Sequence, residues 1–293
     1  MFKTILVPLS GTEADAALLS TSLEFVRPFA GHMECLRVHP DAVALVAQSV
    51  SMDAASGLLL ADMMASLEQQ EREKGERARV TFTQFCKAND IPLVNKSCGS
   101  KYVTAAWREQ SGDTRSVITA LARVHDAVVL AAGPERPGRL SAGDLGEIML
   151  SSGRPVLLAP EKVIGGTIET IAVAWKDSRE AAVAIMAAMP LFARAKRIEV
   201  LSVNEENGSE QKCLDCSESI VEQLRWHELN AYGRFVLPAG RSAPQAVLET
   251  AHGLRADLLV MGAYGRSRLR EFLFGGFTRR ILEGVDLPVF AAH

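Results

Sequence analysis

The chain has 293 residues, of which 48% are hydrophobic and 23% are charged. This balance is typical of a globular protein and excludes a disordered or collagen-like chain. The formal net charge of −3 predicts no nucleic-acid partner and no membrane surface, because both need an excess of basic side chains. No apolar run approaches the roughly 20 residues that cross a bilayer. Five cysteines, an odd and sparse set, favour a reduced, cytoplasmic compartment over a secreted disulfide scaffold.

The opening segments of the two halves resemble each other. Residues 4–10 (TILVPLS), too short an apolar run for a signal peptide, are similar to residues 170–176 (TIAVAWK). Each is a β-branched run that predicts a strand, and an Ala-rich helical stretch follows it at 14–25 and 180–192. A second apolar run then predicts another strand in each half.

The closing segments match as well. Residues 125–130 (HDAVVL) correspond to 256–261 (ADLLVM), and a Pro-led apolar strand ends each half at 154–158 and 287–291. Strands that alternate with helical patterns indicate βαβ units and a parallel sheet. The repeat therefore predicts one open parallel sheet in each half.

The fold class that follows is α/β, with two tandem open parallel-sheet, Rossmann-like domains. We place them at 1–162 and 168–293, on either side of a short Gly-containing segment. The first half carries an additional apolar, Met/Ala-rich stretch at 41–64, before a charged helix at about 68–83. This stretch is interpreted as a helical lid or an extended crossover helix, with a partner-binding helix as the alternative.

Three glycines in the second half give the most informative motif. Gly262, Gly265 and Gly275 follow a fully apolar strand with the spacing G-x2-G-x9-G, and a helical pattern comes next. Open α/β sheets bind ligands at the carboxyl ends of their strands. Glycines let the backbone approach phosphates closely, and a helix N-terminus adds N–H donors and a positive dipole. Arg266 and its neighbouring arginines add positive charge.

This ordered set resembles the nucleotide-binding motif of the universal stress protein family, and the resemblance covers the chain as two tandem copies. It implies an adenine-nucleotide pocket for ATP, with or without Mg²⁺, in the second half. It also implies a pseudo-dimer of the two domains and a homodimer that pairs through the last strands. The implied nucleotide-binding residues are Ala174, Trp175, Lys176, Val203, Met261, Gly262, Gly265, Arg266, Ser267, Gly275, Gly276, Phe277 and Thr278.

Two positions depart from the family pattern. Gly276 stands where the family has Ser or Thr after the third glycine, so one hydroxyl contact must come from Thr278 or Ser267. Lys176 replaces the family's acidic residue after the first strand, with Asp177 beside it. A lysine removes a ribose or metal contact and offers a phosphate a point charge instead.

The first half has lost the motif. Gly133 to Leu140 superficially resembles a P-loop, but Pro134 and Pro137 lack the N–H donors that cradle phosphates, and Arg139-Leu140 replaces the required Lys-Ser/Thr. This half is therefore predicted to be structural or to contact a partner.

Four weaker signals remain. Cys213 and Cys216 form a single C-x2-C, which supplies only two zinc ligands, and we interpret them as loop or helix-start residues. The six histidines show no catalytic grouping and are predicted at the surface or at helix ends. Trp226 is expected to pack on the sheet, and Trp175 lies either beside the pocket or in the core.

The sequence thus predicts a nucleotide-binding regulatory protein of the stress-protein type, with little or no catalysis. No H-x-G-H or S-G-G-x-x-S signature is present. Two alternatives stay open: a slow ATPase, and an interaction or dimerisation protein whose nucleotide sites are vestigial.

Overall fold

The structure of the protein is a computed structural model. The structure describes residues 1–40, 57–97, 99–133, 139–162, 166–203, 210–263, 276–282, 284 and 286–293.

Strands and helices alternate along both halves of the chain, as the repeat predicts. A short 3₁₀ helix, Arg27–Phe29, follows the first helix. The described strands are β1 (Thr4–Pro8), β2 (His32–His39), β3 (Thr104–Ser111), β4 (Ala127–Ala131), β5 (Val156–Ala159), β6 (Thr170–Trp175), β7 (Arg197–Val203), β8 (Ala231–Val236), β9 (Leu258–Gly262) and β10 (Val289–Ala292). The described helices are α1 (Ala14–Val26), α2 (Gly57–Ala88), α3 (Thr114–Ala122), α4 (Ala142–Ser152), α5 (Arg179–Phe192), α6 (Glu210–Trp226), α7 (Ala243–Gly253) and α8 (Gly276–Leu282).

All ten described strands form one sheet, in the order β3-β2-β1-β4-β5-β10-β9-β6-β7-β8. Within each half every pairing is parallel, and the α/β prediction is confirmed. The halves meet where β5 pairs with β10 in the antiparallel sense, with Leu157 opposite Phe290. The strands of the two halves therefore run in opposite directions, and their carboxyl ends lie at opposite edges of the sheet.

The join between the halves uses both last strands. β5 lies between β4 and β10, and β10 lies between β5 and β9. Neither strand keeps a free edge, so the prediction that a second copy of the chain pairs through the last strands is wrong. The chain makes that contact with itself.

An aromatic cluster fills the core at this join. Phe290 of β10 is fully buried, and its ring centroid lies 5.7 Å from that of Phe2 and 6.1 Å from that of Phe25. Phe2 also contacts Phe29 edge-on, at 5.4 Å. The last strand of the second half thus completes the core of the first half, and the hydrophobic cluster on this face runs across both halves.

An aspartate at the same place in the repeat anchors the first strand of each half. The Asp126 carboxylate accepts hydrogen bonds from the backbone N–H groups of Lys3 and Thr4, at 2.6 and 2.9 Å. Asp257 accepts from the N–H groups of Glu169 and Thr170, at 2.9 and 2.8 Å. These acceptors satisfy donors at the start of β1 and β6, which explains the residue's place in the repeat.

Two details differ from the sequence-based expectations. Trp226 does not pack on the sheet: it ends α6 and is 81% exposed. The helix stops there because Glu228 adopts a positive φ of 59°, which ends the helical turn.

The sequence analysis did not predict the strands β3 and β8, which complete each parallel half. Their sequences, TAAWREQS and AYGRFV, are polar because each strand lies at an edge of the sheet.

Candidate functional site

The second half has a topological switch point between β6 and β9. From β6 the chain continues to β7 on one side, and from β9 it continues to β10 on the other. Ala174 of β6 is in register with Met261 of β9 and with Leu201 of β7. The carboxyl ends of these three strands therefore lie side by side, at the position where open α/β sheets bind ligands.

Gly262 lets α5 approach the end of β9. A Cβ at this position would lie 2.4 Å from the backbone nitrogen of Ala181 and 2.5 Å from the carbonyl carbon of Glu180. Only glycine fits there without a shift of the backbone. The first glycine of the motif thus has a packing role, which brings the first turn of α5 to the switch point.

The predicted residues lie on both faces of the sheet. Ala174, Val203, Met261 and Phe277 all belong to or pack against the cluster on the face of α7 and α8. Trp175 packs against the cluster on the opposite face, because successive side chains of a strand alternate. The structure therefore brings the first four together and places Trp175 behind them.

The remaining predicted residues divide into two groups. Lys176 is exposed just after β6, and Thr278 is buried in α8, with Gly276 as the first residue of that helix. The side chains of Cys213 and Cys216, on α6, lie outside the described residues. So do the middle of the glycine loop and its arginine: Gly265, Arg266, Ser267 and Gly275.

Two buried polar atoms near this edge were missed by the sequence analysis. Within the part of the chain that the structure describes, the Trp175 Nε1 and the Ser202 Oγ have no hydrogen-bond partner, and Ser202 is 1% exposed. The two residues are in register on neighbouring strands, so their side chains share one face. The signal available in the sequence was Ser202 itself, a polar residue at the apolar end of β7.

The corresponding edge of the first half is built differently. The buried Asp15 carboxylate accepts hydrogen bonds from the N–H groups of Ser10 and Gly11, at 3.0 and 2.8 Å. Burial raises the pKa of Asp15, and these hydrogen bonds oppose that effect. Beside Gly133, Arg139 pairs with Glu161 at 2.6 Å.

A buried ion pair lies away from both edges, between β2 and the end of α3. His125 is only 6% exposed, and its Nε2 lies 3.6 Å from the Glu34 carboxylate. His125 thus lies at a helix end, one of the two positions predicted for the histidines, and it is buried there. Burial opposes the charged imidazolium, but the Glu34 carboxylate and the Leu121 carbonyl, 2.8 Å from Nδ1, together outweigh it and raise the pKa of His125. The neighbouring His125, together with Arg108, whose Nη1 donates to Glu34 at 3.0 Å, lowers the pKa of Glu34 to about 2 against the cost of burial.

This pair predicts a pH-dependent stability. A lowered carboxyl pKa stabilises the fold above the ordinary value of 4.5, and a raised imidazole pKa stabilises it below 6.5. The contribution is therefore complete between these values, falls as Glu34 is protonated towards pH 2, and falls again as His125 loses its proton. We expect His125→Gln to lower the free energy of unfolding by about 1–2 kcal/mol at pH 6 and by less at pH 9.

Urea unfolding at both pH values measures this difference. His252→Gln, at an exposed position in the last turn of α7, is the matched control and should show no such change. An equal loss at pH 6 and pH 9 for His125→Gln would contradict the ion pair.

Among the described residues, no group of three or more His, Cys, Asp or Glu side chains is arranged to hold a metal ion. Among the same residues, no helix has the length and apolar character to cross a membrane.

Comparison with known proteins gives a family match at the end of the chain. The model of the universal stress protein family matches residues 234–293, which include β9, the glycine loop and β10. The resemblance predicted from the sequence is confirmed. No curated protein matches the chain significantly.

Solved structures with the universal stress protein fold match the full chain. A universal stress protein from Archaeoglobus fulgidus DSM 4304 is 13% identical, with a TM-score of 0.62, over 99% of this chain and 97% of that chain. A putative universal stress protein from Pseudomonas aeruginosa UCBPP-PA14 is 14% identical, with a TM-score of 0.58, over 99% and 93%. At these identities the likeness establishes the fold alone.

A shorter universal stress protein, solved in complex with cAMP, is 20% identical. The match covers 43% of this chain and 97% of that chain, with a TM-score of 0.33. Its ligand is a property of that protein.

Proposed function

We propose that this chain is an adenine-nucleotide-binding regulatory protein of the universal stress protein type, with a single ATP site in its second half. The site lies at the carboxyl ends of β6, β7 and β9. We further propose that the two domains, 1–162 and 168–293, form an intramolecular pseudo-dimer, and that the protein works in the cytoplasm. A homodimer stays a prediction, and it would need a surface other than β5 and β10.

The observation that supports the site best is the convergence at the switch point. Ala174 and Met261 are in register on adjacent strands, whose backbones lie about 4.8 Å apart. Val203 ends the next strand on the same face. These three apolar residues end adjacent strands next to Gly262, after which the glycine loop begins.

The chemistry of the loop suits the phosphates. Gly265 and Gly275 present backbone N–H donors without a Cβ in the way, and Arg266 supplies positive charge. Lys176, exposed after β6, lies at the same edge and adds a further cation. We propose Phe277 and Thr278, with Gly276 and Ser267, as the other residues around the phosphates.

Little or no catalysis is part of this proposal. The sequence lacks the signatures of nucleotidyl transfer and of pyrophosphate release, and Asp177 is the exposed carboxylate closest to Lys176 along the chain. If the protein is a slow ATPase, Asp177→Ala should abolish a turnover of ATP that stands well above background.

Calorimetric titration of the nucleotide-stripped protein with ATP and Mg²⁺ tests the proposal. We expect saturable binding with about one site per chain, because only the second half retains the motif. Gly265→Asp should abolish binding, since it places a carboxylate where the phosphates approach. Gly253→Asp is the matched control: a Cβ there meets nothing within 4 Å, and it lies at the end of α7, before β9 begins.

The outcomes separate the alternatives. Binding lost in Gly265→Asp and kept in Gly253→Asp supports the second-half site. Two sites per chain would contradict the assignment of the first half. No binding by calorimetry and by equilibrium dialysis would overturn the proposal and favour the interaction protein with vestigial sites.

A further inference from the structure

A cluster of charged side chains lies at the carboxyl edge of the first half, opposite the proposed ATP site. Arg37, near the end of β2, is 6% exposed. Its Nη1 donates to the carbonyl oxygen of Ser10 at 3.2 Å, and its Nη2 donates to the Glu71 carboxylate at 2.5 Å. The other oxygen of Glu71 accepts from the Lys74 Nζ, also at 2.5 Å. Both oxygens of the Glu71 carboxylate are thus held by cations.

Glu71 reaches this position because α2 lies directly on the loop after β1. Gly11 has a φ of +77°, and a Cβ there would lie 2.1 Å from the carbonyl oxygen of Lys74. A Cβ at Gly75 would lie 3.2 Å from the His39 ring. The Arg77 Nε also donates to the carbonyl oxygen of Gly11, at 3.2 Å. The helix therefore covers the same strand ends that, in the second half, form the proposed nucleotide site.

The Glu71 carboxylate leaves part of the Arg37 guanidinium without an acceptor. The Arg37 Nε is buried and has no hydrogen-bond partner among the described residues, and it lies 3.9 Å from a Cβ placed at Gly75 of α2. A phosphate presents three acceptor oxygens and can accept from two nitrogens of one guanidinium in parallel. Arg37, Lys74 and Arg77 outnumber the two carboxylates beside them, Glu71 and Asp15, so the cluster is cationic overall.

The second half does not repeat this arrangement. The equivalent of Arg37 is Ser202, since Leu36 and Leu201 occupy the same place in their strands, opposite Pro8 and Ala174. The crossover helix there, α6, has 17 residues against 32 in α2. The two helices end alike, with Ile91 N–H bonded to the carbonyl of Cys86 and Leu229 N–H to that of Leu224. Counting back from these ends, the residue at the position of Glu71 is Ser209, which has no carboxylate.

We propose that the first half contains an anion site for a phosphate group, formed by Arg37, Lys74 and Arg77, and that the Glu71 carboxylate of α2 occupies it as an internal ligand. In this arrangement α2 is an autoinhibitory segment. It keeps the first half closed to phosphate-bearing ligands. The proposal is independent of ATP binding in the second half.

Thermal unfolding with inorganic phosphate as the probe tests this. Sodium chloride at equal ionic strength corrects for screening. In the wild type we expect no rise in Tm from phosphate binding at the first-half site. Glu71→Ala should bind phosphate about tenfold or more tightly than the wild type, seen as a saturable rise in Tm. Glu73→Ala is the matched control, since it removes the same charge from the same helix at an exposed position that contacts Gln69 instead.

Two further variants complete the test. Glu71→Ala/Arg37→Met should lose the gain in phosphate binding, because the guanidinium is the principal donor. Glu71→Gln keeps the length of the side chain and serves if Glu71→Ala does not fold; it should show a smaller gain. Each variant is also measured in a Gly265→Asp background, so that phosphate bound by the second half does not contribute.

The results decide the proposal. The proposal is supported if, in the Gly265→Asp background, phosphate raises the Tm only when Glu71 is removed and Arg37 is present. The same response to phosphate in Glu71→Ala, Glu71→Gln and the wild type overturns it, and the ion pair then only fastens α2 to the sheet. A gain in Glu73→Ala equal to that in Glu71→Ala also overturns it, since a general change of charge would explain both.

Discussion

Phe290→Ala is expected to lower the free energy of unfolding by about 3–5 kcal/mol. The ring is fully buried on β10 and contacts Phe2 and Phe25 of the first half. Its removal leaves a cavity where the two halves meet, on strands whose backbones are hydrogen-bonded to each other. Urea denaturation followed by circular dichroism measures the loss. The two halves should still unfold together, because the remaining rings keep the joint core.

Trp226→Ala provides the control for this substitution. It removes a larger ring that is 81% exposed, so its effect should stay within about 0.5 kcal/mol. A loss below about 1 kcal/mol for Phe290→Ala would mean that the halves do not share the core seen at β5 and β10.

Asp257→Ala is expected to cost about 2–3 kcal/mol of stability. Its carboxylate accepts from two backbone N–H groups, those of Glu169 and Thr170, and both donors lose their partner in the variant. Asp126→Ala should cost a similar amount, because Asp126 makes the same two contacts at the start of β1. Chemical denaturation of both variants, in parallel with the wild type, measures the two losses.

The control is Asp286→Ala, which removes an exposed aspartate before β10 and should change stability by less than about 0.5 kcal/mol. Asp257→Asn keeps one acceptor oxygen and should fall between the wild type and the alanine variant. If Asp257→Ala were as stable as Asp286→Ala, the residue would have to be kept in the repeat for a reason other than strand anchoring.

The repeat was readable in the sequence because it rests on local patterns. Buried parallel strands are continuous apolar runs, as in VVL of β4 and LLVM of β9, and the helices between them have a different period. The edge strands β3 and β8 were not readable in this way. One face of each is solvated, so polar residues such as Arg108 and Arg234 interrupt the apolar pattern.

The sequence predicts where the proposed site would lie, but not the role of each residue. The motif located the carboxyl ends of β6 and β9, since strand ends in a parallel sheet are fixed by chain order. It did not distinguish residues that would contact a ligand from residues that hold the fold. Gly262 packs against α5, and Asp257 anchors β6, and both functions depend on groups more than 80 residues away in the chain.

The sequence by itself determined the α/β class, the tandem repeat and the glycine loop of the second half, because these follow from periodicity and spacing within short segments. The tertiary structure alone decided how the two halves meet. Pairing of β5 with β10 depends on the contacts of Phe290 with Phe2 and Phe25, which no local pattern encodes. It also decided that α2 lies on Gly11 and brings Glu71 to Arg37, since a helix's own residues do not specify which strand ends it covers.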